Sequence, residues 1–180
     1  MRIERENCIG LLIDVQERLY PVMENKESLL NACSIFIKGL SLLGIPLLIT
    51  EQYPKGLGPT VKDLRELSEG IEAIEKISFS CMDEVDFEAV LQESGRRQVL
   101  VAGIESHVCV LQTVRDLQEA GYQAVVLADA TSSRKNSDRE VAQERMRQEG
   151  AMITTVESLL FELCRYAGTP EFKQISNLVK

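Results

Sequence analysis

The sequence predicts an α/β protein: three layers, α/β/α, around a six-stranded parallel sheet in the strand order 3-2-1-4-5-6. Three observations carry this expectation. Apolar runs of strand length alternate with amphipathic stretches of helix length along the chain. The first run, Ile9 to Ile13, is continuously apolar, as a strand covered on both faces requires. Glycines stand where the intervening helices should stop, at Gly44, Gly121 and Gly150.

The elements follow in order. Ile9 to Ile13 is the first strand. Glu27 to Leu43 has helical periodicity, with Leu29, Leu30, Cys33, Phe36, Ile37 and Leu40 on one side. Pro46 to Thr50 is the second strand. Glu51 to Pro59 is rich in Gly and Pro and reads as a loop. A short helix covers Val61 to Leu67, and Ile71 to Lys76 forms the third strand. Asp83 is placed to cap a helix from Glu84 to about Glu93. Gln98 to Gly103 is the fourth strand, followed by a helix from Val108 to about Ala120. Ala124 to Ala128 is the fifth. Ser137 and Glu140 have capping-box spacing for a helix to Gln148. Ala151 to Thr154 is the sixth strand, and Val156 to Tyr166 a last helix. The tail after Gly168 has no strong pattern and is expected to pack on the domain or on another subunit. With no internal repeat or linker, the 180 residues read as one domain, with a core over about 8–166 and a tail over 167–180.

Composition narrows the function. The net charge is −8 with no basic cluster, which disfavours binding to a phosphate backbone. No apolar run is long enough to cross a membrane. The first residues lack the basic-then-apolar order of a signal peptide, so the expected location is the cytoplasm. Five cysteines without C-x-x-C spacing argue against a disulfide framework or a cysteine zinc site. The single histidine, His107, excludes any site that needs two.

Open parallel sheets bind ligands beyond the carboxyl ends of the strands, where the strand order reverses. Three polar residues occupy that edge. Asp14 follows the first strand, Lys76 ends the third, and Cys109 lies just after the fourth, in the first turn of the next helix. Strands one and four are neighbours at the reversal point. Strand three lies two positions from strand one, roughly 10 Å at about 4.8 Å per step, a gap a lysine can largely cover. A cysteine at a helix start feels the positive end of the dipole, and a nearby lysine favours thiolate further. A carboxylate can take the thiol proton and return it to a leaving group. His107 is a poor base for Cys109, because residues two apart on a helix point apart. Each of the three also has a plain structural reading: the cysteine as core packing, the aspartate as a turn or cap, the lysine as a solvated side chain.

Several segments extend this reading. Val101-Ala102-Gly103-Ile104-Glu105-Ser106-His107-Val108-Cys109-Val110 resembles the nucleophile motif of the isochorismatase-like cysteine hydrolases. Leu11-Leu12-Ile13-Asp14-Val15-Gln16 resembles the first motif of that family, and Glu75-Lys76 with Ser78-Phe79-Ser80 its lysine motif. Val126 to Arg134 is similar to a further segment. The matches run in order over about residues 8–160. Within the family, the likeness is to the group called isochorismatase domain-containing proteins.

The resemblance implies a Cys109-Asp14-Lys76 triad, with Cys109 attacking a carbonyl carbon, Asp14 shuttling the proton and Lys76 stabilising the charges. It also implies a cis peptide between Ile104 and Glu105, and an oxyanion hole from the backbone N–H groups of Glu105 and Cys109. The zinc-type nicotinamidases of the family hold a metal through an aspartate and two histidines near the loop after the second strand. Here that loop reads Glu51-Gln52-Tyr53-Pro54 and has no histidine, so neither metal nor other cofactor is expected. By position, Gln16, Tyr53, Phe79, Ser106 and Val108 are candidate pocket residues; Ser106 could instead cap the following helix. The expected activity is hydrolysis of a small amide or related C–N bond through a thioester. Isochorismatase-type vinyl-ether hydrolysis with Asp14 as general acid, or a non-enzymatic protein-binding role, are the alternatives. The resemblance further implies a homo-oligomer.

Overall fold

In the computed structural model, which describes residues 2–180, the six apolar runs become the strands of one parallel sheet. They are β1 (Cys8–Ile13), β2 (Leu47–Gln52), β3 (Ile74–Lys76), β4 (Gln98–Ile104), β5 (Gln123–Ser132) and β6 (Met152–Thr154). Their order is β3-β2-β1-β4-β5-β6, as the sequence predicts. The helices are α1 (Lys26–Leu43), α2 (Pro54–Leu57), α3 (Lys62–Leu67), α4 (Val85–Glu93), α5 (Leu111–Glu119), α6 (Asn136–Gln148), α7 (Val156–Cys164) and α8 (Pro170–Leu178).

Strand side chains alternate between two cores. Leu12 of β1, with Leu100, Ala102 and Ile104 of β4, faces one core, which α1, α7 and α8 cover through Phe36, Leu40, Leu160 and Ile175. Ile9, Leu11 and Ile13, with Val99 and Val101, face the other, covered through Phe87, Leu91, Val114 and Met146 of α4, α5 and α6. Full burial of such a side chain stabilises the fold by about 1.5–3 kcal/mol. The central strands therefore cannot slip in register without losing several such terms.

One contact fixes the functional edge. Gly103 pairs with Ile13 across β4 and β1 and has φ +127°. A Cβ there would lie 2.1 Å from the Ile13 carbonyl oxygen. Only glycine lets the ends of these two strands meet so closely.

Several boundaries depart from the sequence reading. β3 is confined to Ile74–Lys76, because only these residues pair with β2; Gly70, at φ +87°, ends the turn before them. The predicted loop after β2 contains the one-turn helix α2, started by Pro54. Asp83 does not cap α4. It closes a 3₁₀ turn over Cys81–Asp83, and Glu84 is the residue before α4. The Glu84 carboxylate reaches back instead to the Ile77 and Ser78 N–H groups, at 2.9 and 3.1 Å. The Ser137–Glu140 capping box is not formed: α6 begins one residue earlier, and Asn136 Nδ2 donates to Glu140 Oε1 at 2.6 Å. β5 runs on to Ser132 past an irregularity opposite Ala102. α7 ends at Cys164, two residues before the predicted Tyr166.

The tail contains a helix that the sequence reading left unassigned. Thr169 caps α8, its hydroxyl accepting from the Phe172 N–H at 3.0 Å, and Pro170 starts it. Ile175 is fully buried in the core beside α1. Thr-Pro followed by Phe172, Ile175 and Leu178 at helical spacing was the available signal.

Candidate active site

Asp14, Lys76 and Cys109, far apart in sequence, meet at the carboxyl edge of the sheet. Asp14 follows β1 directly in the left-handed conformation, at φ 53°, which aspartate tolerates better than most residues. Its side chain is fully buried. Lys76 closes β3, and its side chain crosses back past β2 to place Nζ 2.7 Å from Asp14 Oδ2, with no exposed side-chain surface on either partner. The lysine thus covers the two-strand gap.

β2, lying between them, supplies two further polar groups. Thr50 pairs with Ile13, and its hydroxyl donates to Asp14 Oδ1 at 2.8 Å. Gln52 pairs with Lys76, and its Oε1 accepts from the ammonium. The other Lys76 donors go to the Ser78 and Phe79 carbonyls at 3.1 and 3.2 Å. Thr50 and Gln52 were missed at the sequence level, where the strand end read only as the approach to a loop. Their pairing register was the signal.

Cys109 does not sit in the first turn of a regular α-helix. Residues Ser106–Val110 form a π turn before α5. The Glu105 carbonyl accepts from Val108 and Val110 at 3.0 and 3.2 Å, and Cys109 is not among its donors. The Ile104–Glu105 peptide is cis. Cys109 is a 6% exposed residue, and the Asp14 charge acts on its thiol.

The electrostatics correct the expectation of a ready thiolate. Burial pushes the Cys109 thiol up, and the Asp14 charge pushes it further; Lys76 only partly opposes them. Burial also raises the Asp14 carboxyl, against the pull of Lys76, Thr50 and Cys109. Burial works most strongly against the Lys76 ammonium, but Asp14, Cys109 and Cys81 together oppose it and leave its pKa raised. The resting site is therefore a thiol beside a carboxylate of raised basicity, with a firmly charged lysine behind it.

The predicted pocket residues divide into two sets. Tyr53 and Phe79 are about half exposed, and Val108, next to Cys109 in the chain, is half-buried. Gln16 and Ser106 are fully buried, with their side chains engaged elsewhere. The Gln16 amide nitrogen donates to the Gln52 and Gly58 carbonyls. The Ser106 hydroxyl donates to the Ser132 carbonyl at 3.0 Å, so it does not cap the helix. The Glu105 carboxylate turns to Arg134 Nε at 2.9 Å, and His107 Nδ1 pairs with the Ser133 hydroxyl. A cavity of about 300 Å³ on the β3 side is bordered by Tyr53, Ile77, Glu84 and Lys76, but not by Cys109. Among the described residues, no three His, Cys, Asp or Glu side chains gather as a metal ion would require.

The class is an α/β protein with a doubly wound parallel sheet, in which a cysteine, a carboxylate and a lysine lie at the switch point. The isochorismatase domain family matches residues 8–158, and the chain belongs to this family of isochorismatase-like hydrolases. It is 41% identical over 182 residues to isochorismatase domain-containing protein 2A of Mus musculus, covering 99% of this chain and 85% of that one. It is 37% identical to the secreted isochorismatase effector Isc1 of Phytophthora sojae, over 99% and 87% of the two chains. Among solved structures, the MAR1 ribonuclease of Caenorhabditis elegans superposes with a TM-score of 0.93 at 37% identity, over 99% of this chain and 92% of that one.

Proposed function

We propose that this chain is a metal-independent hydrolase of a small amide or related C–N bond, acting through a thioester on Cys109. The observation that carries the proposal is the buried Asp14 carboxylate held between the Cys109 thiol and the Lys76 ammonium. Asp14 takes the thiol proton as sulfur attacks the carbonyl carbon. The backbone N–H groups of Glu105 and Cys109 hold the developing oxyanion. Asp14 passes the proton to the departing amine, and the thioester remains. Asp14 then takes a proton from water, hydroxide adds to the thioester, and the acid leaves as the thiol is restored. Lys76 keeps its charge throughout.

The substrate is small, because the thiol is nearly covered, and Tyr53, Phe79 and Val108 frame the approach to it. Gln16 and Ser106 hold the surrounding loops from behind. A nucleic-acid partner is disfavoured by the net charge of −8, which repels a polyanion. Among the described residues, no helix is long and apolar enough to cross a membrane. Ile77 and Val85 are apolar and 71% and 81% exposed, which supports self-association; sedimentation showing only monomer refutes it.

Vinyl-ether hydrolysis competes with this reading, because the raised Asp14 carboxyl also suits a general acid. Two measurements decide. Cys109 and Cys164 have similar exposure, 6% and 8%, so exposure alone gives similar alkylation rates with iodoacetamide at neutral pH. Faster reaction at Cys109 supports the base-assisted thiol, and equal rates refute it. Cys109→Ala should abolish amide turnover, and retained turnover sinks the thioester mechanism.

A further inference from the structure

Lys76 has three protons to donate and four acceptors around it. Gln52 Oε1 and the carbonyls of Ser78 and Phe79 take directed hydrogen bonds. Asp14 Oδ2 lies 2.7 Å from Nζ but accepts no directed hydrogen bond, although the atom is fully buried. The ammonium and this oxygen form a close ion pair that misses hydrogen-bond geometry, whereas the other three acceptors meet it. The other Asp14 oxygen takes the Thr50 hydroxyl.

We propose that Gln52 and Thr50 are opposed positioning residues for Asp14. Gln52 holds a Lys76 proton away from Oδ2 and so keeps the carboxylate basic. Thr50 donates to Oδ1 and tempers that basicity. The inference rests on the reading of Cys109 as nucleophile and Asp14 as its base. The arrangement solves a physical conflict. A buried carboxylate needs a counter-charge, since an unpaired ion is costly away from water. A fully hydrogen-bonded ion pair, however, is a poor base, because each directed bond from a charged donor stabilises the ionised form. Turning the ammonium supplies the charge while leaving one oxygen open to the thiol proton.

The titratable groups acting on Asp14 are Lys76 from β3, Cys109 from the π turn and Cys81 from the 3₁₀ turn. Cys81 Sγ contacts the Thr50 hydroxyl at 3.8 Å, and burial followed by the Asp14 charge pushes this thiol up to about 12. It therefore stays protonated at neutral pH and adds no charge.

The test follows Cys109 alkylation by iodoacetamide against pH, using mass spectrometry of the intact, folded chain. The reactive form is a thiol–carboxylate pair holding one proton, and its acid limb reports the point at which the pair takes up a second. In Gln52→Met, Lys76 turns its freed proton to Asp14, and the midpoint of that limb falls by about one pH unit. In Thr50→Val, Asp14 loses a donor of almost unchanged volume, and the midpoint rises by about one unit. Gln52→Glu keeps the acceptor but loses the amide that donates to the Ile77 carbonyl at 2.7 Å, so its midpoint stays at or above that of the parent. A purely structural role for Gln52 predicts that the Met and Glu variants move together. That result, or an unmoved or raised midpoint in Gln52→Met, overturns the inference. A parent Cys109 that reacts no faster than Cys164 overturns the nucleophile reading as well. Carboxyl ¹³C titration of Asp14 in the same variants must give the same order, and it does so without relying on the thiol.

Discussion

Replacing Lys76 by methionine removes the charge at the centre of the site while nearly conserving volume, so the loss is almost purely electrostatic. Neither Lys76 nor Asp14 exposes side-chain surface, and solvent cannot screen what remains. Breaking one side of such a pair costs about 3–5 kcal/mol. Protonation of Asp14 sets the ceiling: once neutral, the carboxyl no longer needs a counter-charge. For a chain of this size each kcal/mol moves Tm by about 2–4 °C, so the expected drop at pH 8 is roughly 6–20 °C. The gap between parent and variant should narrow towards pH 5, where the Asp14 carboxyl, already raised by burial, takes its proton more readily. Lys76→Met combined with Asp14→Asn should recover part of the loss. The assay is thermal unfolding followed by circular dichroism at both pH values. A single variant within about 2 °C of the parent at pH 8 refutes the buried charge pair.

Two further outcomes follow from the fold. Burial pushes the Cys33 and Cys81 thiols up to about 12 from an ordinary 9.0. Their folded pKa values lie above the unfolded ones, so their share of stability is intact below pH 9 and is lost as pH rises towards 12. Cys8 and Cys109 are raised as well, so each of four thiols contributes a slope of about 1.4 kcal/mol per pH unit in that window, and Cys33→Ala should lower the slope in urea unfolding by about that amount; an unchanged slope would count against the argument. Gly103→Ala sets a Cβ against the Ile13 carbonyl at a backbone angle hostile to alanine. It should cost about 3 kcal/mol or more, and a parent-like Tm would show that the β1–β4 contact is looser than described.

The central strands were legible because they are continuous apolar runs, whereas β3 is short and carries Glu75 and Lys76; the helical crossovers implied parallel strands, and their order was the common one for such sheets. Asp14, Lys76 and Cys109 were legible because chemistry at a parallel sheet gathers beyond the strand ends. What was hidden depends on register and depth. Thr50 and Gln52 become meaningful only when β2 is aligned with both neighbours. The expected thiolate failed because a helix dipole argues from position along the chain, whereas the thiol responds first to burial and then to Asp14. The capping box at Ser137 failed because spacing alone does not say where the first turn of α6 begins. α8 was overlooked because its apolar spacing is short and lies beyond the last strand, although Thr169 and Pro170 mark its start.

Lys76 is held by two main-chain oxygens, those of Ser78 and Phe79. A carbonyl is present whatever side chain the residue carries. The Phe79 side chain, half exposed, can therefore be exchanged without withdrawing an acceptor from the buried ammonium. The β3–α4 loop separates what must be inherited unchanged from what is free to drift. A lineage can rewrite which molecules this edge admits while leaving the charges beneath in place.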